Sequence, residues 1–332
     1  MDIVEGNHID PKAWGNLVHR SPVATWFQTQ EAFSFFDSLS FLKAFAYAVE
    51  VEGRLKGVVV GYIQKDGGKL KQFFSRRAIV LGGPLLADDI SDEELTLLLQ
   101  VLKERVKKKT IYAEVRNFND YSPWRNVFER CGFQYQPHYD IHVDTASPDI
   151  VDEHLGKSRK RDIRVSLRDG ARVIENPSLS QVHEFYGILK ELYETKVKTP
   201  LFPIEFFERL LALDSSAFLL VEYDGRIVGG TVCVGLSGKA LCEMYACGKD
   251  REHKTIFPSE VATFAGLRFA AENGCSKFDM MGAGKPDDGG YGVRDFKLKF
   301  GGKLLELGRY IHVSHPFLFQ IGKMGVMMMK KM

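Results

Sequence analysis

Alternating and continuous apolar runs, each ending in a tight turn, divide most of the chain into predicted strands. The clearest are two strand–turn–strand units, Ala48–Gly61 with its turn at Glu52-Gly53 and Leu220–Cys233 with its turn at Asp224-Gly225. An acidic residue followed by glycine favours a hairpin, because glycine readily adopts the positive φ that such turns require. Amphipathic helical stretches that lead into apolar runs follow at similar offsets: Glu93–Lys109 before Ile111–Val115, and Ser259–Asn273 before Phe278–Met281.

The repeated order of elements predicts two related domains in tandem, since its period is too long for a solenoid. At 332 residues the chain also exceeds what one hydrophobic core usually organises. The expected fold class is therefore α+β (α/β) with an internal duplication. A polar stretch at Asp144–Pro148 is the best linker, which gives domains at residues 1–148 and 149–314. A site is expected in the cleft between the two domains.

Composition indicates an ordinary globular protein, with 45% hydrophobic and 27% charged residues. A net charge of +2 is too small to indicate a nucleic-acid binder by itself. The five cysteines lack framework spacing, so we expect buried free thiols. No secretory signal or spanning segment is recognised, and a cytoplasmic location is expected. The apolar stretch Pro316–Met332 carries Lys323, Lys330 and Lys331, and either contacts the inner face of the membrane or packs as a terminal element.

The most basic segment opens the second domain. Four cations fall at helical spacing and form one stripe: Lys157, Arg161, Arg164 and Arg168. Like charges at these spacings repel one another, which favours an anionic, phosphate-bearing partner. A solvated basic face is the alternative interpretation. On the opposite side, Leu155, Ile163 and Leu167 are expected to face inward.

A stiff loop containing an aromatic residue follows two helices further along. Pro200 and Pro203 enclose Phe202, and two prolines restrict the backbone of the loop. Phe202 either lines a substrate groove or staples two helices together.

The strongest local signal lies near the end of the second domain. A strand at Phe278-Asp279 leads into a glycine-rich loop, then into Tyr291 and a Phe-Lys-x-x-Phe-Gly-Gly element at 296–302. Gly284-Lys285 does not form a phosphate-binding P-loop, because Pro286 replaces the required Ser or Thr. Lys297 and Lys299 are either held near apolar walls, where an ammonium stabilises an oxyanion, or extend to solvent from an amphipathic edge.

Metal and serine-hydrolase chemistry find no support in the sequence. The nine histidines lack metal-ligand spacing, and no Gly-x-Ser-x-Gly element is present. Carboxylates cluster near the glycine-rich loop, and one of them is a candidate proton acceptor. Among these, we assign Asp279 to structure and Asp295 to chemistry.

Taken in order, these motifs resemble the Fem peptidoglycan-bridge aminoacyltransferases, and more closely the Fem-like acyltransferases of bacterial exopolysaccharide systems. The similarity is carried by the basic helix, the Thr199–Phe202 loop, the Asp224-Gly225-Arg226 hairpin and the closing segment 291–302. Trp26-Phe27-Gln28 and Gly82-Gly83-Pro84 fit as well. The resemblance implies two tandem GNAT-like domains, with mixed central sheets flanked by helices and with residues 315–332 completing the first domain.

The resemblance also implies a reaction. Fem-like enzymes transfer an aminoacyl group from aminoacyl-tRNA to an amine of a peptidoglycan or glycan precursor, without a metal or other cofactor. Lys297 then matches the position that stabilises the donor ester and the intermediate, and Tyr245 would orient the reacting groups. The basic helix, with Arg76 as a weaker candidate, would bind phosphates of the acceptor or of tRNA. Phe202, Tyr291 and Lys299 complete the expected substrate contacts.

Two departures from related patterns affect the choice of donor and partner. The coiled-coil arm of some Fem proteins is absent, which removes one candidate tRNA contact. The loop at 249–259 lacks the Gln/Arg-x-x-Gly-x-Gly/Ala pattern that holds coenzyme A pyrophosphate, which disfavours acyl-CoA as donor. Two alternatives stay open: an acyl-CoA-dependent acyltransferase, and a non-catalytic protein that binds a phosphorylated glycan or nucleic acid.

Overall fold

The computed structural model describes residues 1–65, 75–250, 252–289 and 292–331 of the chain. They form two compact units, Met1–His138 together with the segment from Leu307, and Tyr139–Glu306. Each unit has one mixed sheet with helices packed against it. The predicted boundaries at 148 and 314 are wrong: the units divide after residues 138 and 306. The strand at 139–144 pairs within the second sheet, and the strand at 309–313 pairs within the first.

The first unit is built on a sheet of eight described strands. Those before residue 138 are β1 (Asp2–Glu5), β2 (Leu42–Val51), β3 (Arg54–Gln64), β4 (Arg77–Gly82), β5 (Leu85–Leu86), β6 (Tyr112–Asn117) and β7 (Gln134–Gln136). The accompanying helices are α1 (Pro11–Arg20), α2 (Gln30–Ser38), α3 (Asp92–Lys107) and α4 (Arg125–Arg130). Short 3₁₀ turns lie at Gly6–His8, Trp26–Gln28 and Ser122–Trp124.

Helix α3 covers one face of the first sheet. It begins with a capping box between Ser91 and Glu94, in which each side chain binds the other residue's backbone amide. Its apolar side is fully buried in the core with strands β2, β3 and β6: Leu95, Leu98, Leu99 and Leu102. The helix is therefore fixed by its period of apolar residues, as the sequence predicts.

The second unit is built on a seven-stranded sheet of order β14-β8-β13-β12-β11-β10-β9. Its strands are β8 (Tyr139–Asp144), β9 (Arg172–Ile174), β10 (Ser216–Tyr223), β11 (Arg226–Gly235), β12 (Ala240–Gly248), β13 (Lys277–Asp279) and β14 (Lys303–Glu306). Its helices are α5 (Pro148–His154), α6 (Lys157–Arg168), α7 (Leu179–Leu192), α8 (Ile204–Leu211), α9 (Pro258–Glu272) and α10 (Gly292–Leu298), with a π-helical turn at Tyr193–Val197 after α7.

The chain then returns to the first unit. Strand β15 (Arg309–Val313) lies between β6 and β7, and helix α11 (Pro316–Lys331) follows it. Within the described residues, no helix combines the length and the apolar character needed to cross a bilayer. All five cysteines are buried free thiols, as expected.

Candidate functional site

The pairing between β12 and β13 stops at Cys242, and the edge of β12 beyond this residue is called the wedge. Strand β13 pairs in parallel only with Ala240–Cys242, the first three residues of β12. Beyond Cys242, the described strands pair with β12 only on its β11 side. An open strand edge of this kind binds an extended, peptide-like group through main-chain hydrogen bonds.

A β-bulge at the start of the wedge turns two side chains to opposite faces of the sheet. Glu243 pairs with Cys233 and Tyr245 with Val232, so Met244 is the extra residue. Because Val232 and Cys233 are adjacent on their strand, their partners face opposite sides. The Tyr245 ring lies among Tyr193, Phe206 and Phe207, with centroids 5.0–6.2 Å away.

Glu243 is a buried carboxylate on the other face. Its Oε1 accepts hydrogen bonds from the hydroxyls of Thr231 and Thr263, each at 3.3 Å. Burial raises the pKa of Glu243, and the nearby charge of Lys297 partly opposes this shift. Sequence analysis missed Glu243; the available signal was a single carboxylate within the apolar strand Leu241–Met244.

Lys297 projects inward from α10. Its Nζ donates to the carbonyl of Met280 and, at 2.9 Å, to the carbonyl of Gly282. The interpretation of Lys297 as a solvent-directed lysine on an amphipathic edge is wrong, because the segment is a helix and the ammonium is bound by the loop after β13. One ammonium hydrogen is left over from these two bonds.

That loop rests on a cluster of three polar side chains on β8 and β13. Asp140 Oδ1 accepts from the amides of Ile141 (2.7 Å) and Gly282 (2.8 Å), and Asp279 Oδ1 accepts from the amide of Met281 (2.9 Å). His142 Nε2 lies 3.2 Å from Asp279 Oδ2. The assignment of Asp279 to a structural role agrees with these contacts.

The pKa values of Asp140 and Asp279 are shifted in opposite directions. Burial and the neighbouring charge of Asp279 raise the pKa of Asp140 to about 7. Burial would raise the pKa of Asp279 too, but His142 outweighs it and holds that pKa below its usual range. One ligand atom from each of Asp140, His142 and Asp279 lies within 4.8 Å of the others, so the absence of a metal site stays a prediction.

A buried arginine on α6 contacts α9 and the aromatic residues of α10 and the turn that follows it. Arg159 is 7% exposed, and its Nη1 donates to Glu260 Oε1 at 2.6 Å. Its guanidinium lies over the rings of Phe296 (4.6 Å) and Phe300 (5.4 Å). The aromatic residues around Lys297 therefore bind a structural cation. Sequence analysis missed Arg159 because it lies off the basic stripe.

The basic stripe on α6 is confirmed as an exposed surface. Arg161 and Arg168 pair with their neighbours Asp162 (2.8 Å) and Asp169 (2.7 Å). No such pair is found for Lys157 and Arg164 within the described ranges. Leu155 and Ile163 face inward as expected, but Leu167 is 42% exposed.

A shallow cavity of about 360 Å³ lies beside this stripe. Its floor is apolar, and Lys160 and Arg164 stand at its rim with Asp152. Neither Lys297 nor Glu243 lines it. The cavity lining is Asp152, Leu155, Lys160, Ile163, Arg164, Leu167 and Phe264.

The structure separates the other candidate residues. Phe202 is only 9% exposed and packs on Phe206 of α8 at 4.8 Å, which favours the packing interpretation, and its contact with a substrate stays a prediction. Asp295 is exposed on α10, two residues from Lys297 and therefore on another side of the helix. Lys299 is exposed, and its carbonyl accepts from the amide of Gly156, which brings it beside Lys157. Arg76 belongs to the first unit, and Tyr291 lies outside the described residues.

Comparison with known proteins identifies the fold. Residues 157–297 match the family model of the acetyltransferase (GNAT) domain. The crystal structure of FemX superposes with a TM-score of 0.73 at 15% identity, over 97% of this chain and 99% of FemX. The chain has the Fem-like tandem GNAT fold.

Two further solved structures superpose on nearly the whole chain. A tandem GNAT protein from the clavulanic acid biosynthesis pathway has a TM-score of 0.57 at 11% identity, over 94% of this chain and 99% of its own. The C-terminal domain of a putative lysylphosphatidylglycerol synthetase from Agrobacterium fabrum has a TM-score of 0.58 at 13% identity, over 94% and 93%. A search of curated proteins found no match.

Proposed function

We propose that the protein transfers an aminoacyl group from aminoacyl-tRNA to an amine of a peptidoglycan or surface-glycan precursor. The observation that carries this proposal is the placement of Lys297. Its ammonium is held by two main-chain carbonyls at the end of β13, where the sheet opens, and its charge acts on the buried carboxylate of Glu243. A cation and a carboxylate in one sheltered place suit acyl transfer to an amine.

Each group has a separate part in the reaction. The acceptor amine attacks the ester carbonyl carbon of the donor, and the remaining N–H of the Lys297 ammonium stabilises the tetrahedral oxyanion. Glu243 accepts the proton that the amine loses, a role for which its raised pKa suits it. The C–N bond forms, the C–O bond breaks, and the same proton passes to the departing ribose hydroxyl. The wedge beside β12 holds the extended donor.

The N-terminus of α9 supports an aminoacyl donor over acyl-CoA. In ordinary GNAT proteins the amides at this helix start bind a pyrophosphate. Here Asp250 occupies the position: Ser259 donates to its carboxylate through the amide (2.9 Å) and the hydroxyl (2.7 Å). Glu260 lies in the same first turn, but its carboxylate is paired with Arg159. The Asp250 carboxylate is therefore the anion that repels a pyrophosphate at this end of the helix.

The basic surface of α6 supports a phosphate-bearing partner. Lys157, Arg164 and Lys299 extend into solvent around the start and middle of the helix. We assign them to phosphates of a nucleotide-linked or lipid-linked acceptor or of tRNA. Arg161 and Arg168 belong to the same surface, although each is partly neutralised by its aspartate.

Peripheral contact with the inner face of the membrane is part of the proposal. Helix α11 packs through Phe319 on Tyr112 (5.1 Å) but leaves Phe317 76% exposed and Met324 49% exposed. Lys323 lies beside them, and residues 316–331 contain no acidic side chain. An apolar, cationic helix face of this kind suits an anionic lipid surface.

A second candidate function is acyl-CoA-dependent N-acylation in polysaccharide biosynthesis. The match of residues 157–297 to an acetyltransferase domain favours it. The chemistry at Lys297 and Glu243 would be the same, with a thiolate as leaving group. The two candidates differ at the start of α9, where the second requires a site for the pyrophosphate of coenzyme A.

A thermal-shift screen distinguishes these functions, because a ligand that binds only the folded form raises its Tm. Aminoacyl-tRNA and a uridine-diphosphate-linked muropeptide are expected to raise the Tm of the wild type, and coenzyme A is not. An Asp250→Ala variant serves as the matched control, since it removes the carboxylate that opposes pyrophosphate. A coenzyme A shift in the wild type would support the second candidate. If the wild type binds the muropeptide without turnover, and Lys297→Met binds it equally well, the result would instead indicate a binding protein.

A further inference from the structure

The loop after β13 is bound from two opposite sides. Its amides at Met281 and Gly282 donate to the carboxylates of Asp279 and Asp140. Its carbonyls at Met280 and Gly282 accept from Lys297. The Met280–Met281 peptide therefore connects Asp279 to the Lys297 ammonium, and the two main-chain groups of Gly282 connect Asp140 to it.

The conformation of this loop needs such support. Met281 has φ of 50° and Gly282 has φ of 86°. A side-chain-bearing residue in the left-handed region is disfavoured and persists only where its surroundings fix it. The Met281 amide bond to Asp279 and the Gly282 amide bond to Asp140 are the contacts that fix these two residues.

Asp140 also reaches the loop from a different strand. Asp279 belongs to the strand that leads into the loop, so its bond to Met281 spans two residues. Asp140 lies on β8 and binds Gly282 across 142 positions of sequence. Its carboxylate is buried, and it fixes the residue whose carbonyl binds Lys297 at 2.9 Å.

We propose that Asp140 is a positioning residue for Lys297, acting through the backbone of Gly282. Without the Asp140 carboxylate, the Gly282 amide loses its acceptor, and the Met281–Gly282 peptide is free to rotate about the Gly282 φ angle. The position of the Gly282 carbonyl, which belongs to the next peptide and binds the Lys297 ammonium, then rests on the Ala283 amide bond to Tyr139. Only the last step, from a displaced ammonium to lost catalysis, rests on the proposed function.

The test compares Asp140→Ala with a matched control, Asp144→Ala. Asp144 lies on the same strand and its carboxylate accepts from the Ala146 amide at 3.0 Å, but it does not reach the loop. Mass spectrometry measures two quantities. One is the amide hydrogen exchange of residues 280–285, and the other is the rate at which an amine-reactive acetylating reagent labels Lys297, with the exposed Lys299 and Lys303 as internal references. Neither readout needs a substrate.

Asp140→Ala is expected to raise both the exchange of the loop and the labelling of Lys297 roughly tenfold, as loss of one buried hydrogen bond predicts. Asp144→Ala is expected to change neither. Asp140→Asn, which keeps an oxygen acceptor, should restore most of the protection. If Asp140→Ala does not fold, Asp140→Ser is measured instead, because serine keeps a polar group but is too short to reach the Gly282 amide.

Unchanged loop exchange or unchanged Lys297 labelling in the Ala or Ser variant would overturn the proposal. Exchange raised equally throughout residues 139–306 would also overturn it, since that result indicates a general loss of stability. Where the wild type shows transfer, kcat should fall in the Asp140 variant while KM stays. A wild type without any transfer would count against the proposed function, and the exchange and labelling results would still decide the role of Asp140.

Discussion

At the scale of single residues, Lys297 and Glu243 depend on different surroundings for the same reaction. The Lys297 ammonium donates to two main-chain carbonyls, which take the place of water around it. Glu243 has two neutral hydroxyl donors, so burial shifts its pKa upward. A carboxyl with a raised pKa takes a proton more readily, which is what an attacking amine requires.

Changing Glu243→Gln tests this role. Glutamine keeps hydrogen bonds to Thr231 and Thr263, so the Tm is expected to stay close to that of the wild type. Turnover at neutral pH should fall roughly 10²-fold, because the proton acceptor is lost. Steady-state kinetics of the two proteins measure this ratio. Turnover equal to that of the wild type would show that Glu243 does not accept the proton.

The sequence indicates Lys297 but not Glu243. Lys297 stands between Phe296 and Phe300 in a motif with recognisable spacing, and the family resemblance points to it as well. The position of Glu243 depends on a bulge that turns it away from the Tyr245 face, and no local pattern predicts a bulge at Met244. Arg159 was missed for a related reason, since its partners Glu260, Phe296 and Phe300 are more than 100 residues away in sequence.

At the scale of elements, β15 is joined to β6 by a buried charge network. Glu114 on β6 accepts from Arg309 on β15 at 2.8 Å and from Arg116 at 3.2 Å. Burial alone would raise the pKa of Glu114, but the two arginines outweigh it and lower that pKa to about 2. The network fixes a strand that comes from the far end of the chain.

This shift predicts how stability depends on pH. The folded pKa of Glu114 lies below its unfolded value near 4.5, so the carboxylate stabilises the fold above about pH 4.5 and loses this effect as pH falls towards 2. Glu114→Gln should therefore lower the free energy of unfolding at pH 7 by roughly 3 kcal/mol, with a smaller difference at pH 3. Urea unfolding at both pH values measures it. An equal difference at pH 7 and pH 3 would contradict the ionic explanation.

Elements differ in how far the sequence determines them. The two hairpins were predicted from an acidic residue before glycine, and both turn residues have positive φ: Glu52 (51°) and Gly53 (73°), Asp224 (51°) and Gly225 (70°). The place of β15 between β6 and β7 was not predictable from periodicity, because strand pairing over such a sequence distance leaves no local signal. The family resemblance implied that residues 315–332 complete the first domain, whereas the strand that returns to it, Arg309–Val313, lies before that segment.

At the scale of the whole molecule, the two units differ in how the chain completes them. All strands of the second sheet come from one continuous segment, Tyr139–Glu306. The first sheet requires β15, which follows that segment and lies between β6 and β7. The two units therefore share a fold, but only the second is formed by one continuous segment of the chain.

The second unit is therefore expected to fold alone, and the first is not. Residues 139–306 should give a cooperative urea transition, whereas residues 1–138 should not, because their sheet lacks the strand between β6 and β7. Joining residues 307–332 to residues 1–138 through a flexible linker is the matched control and should restore cooperativity. Cooperative unfolding of residues 1–138 alone would show that β15 is dispensable.

The most direct measurement of the central claim is aminoacyl transfer by the wild type and by Lys297→Met. Labelled aminoacyl-tRNA is incubated with a uridine-diphosphate-linked muropeptide, and the amide product is quantified, with Lys303→Met as the control for an exposed lysine outside the proposed site. We expect transfer by the wild type and by Lys303→Met, and a loss of roughly 10²–10³-fold in Lys297→Met. Transfer by Lys297→Met at the wild-type rate would contradict the account.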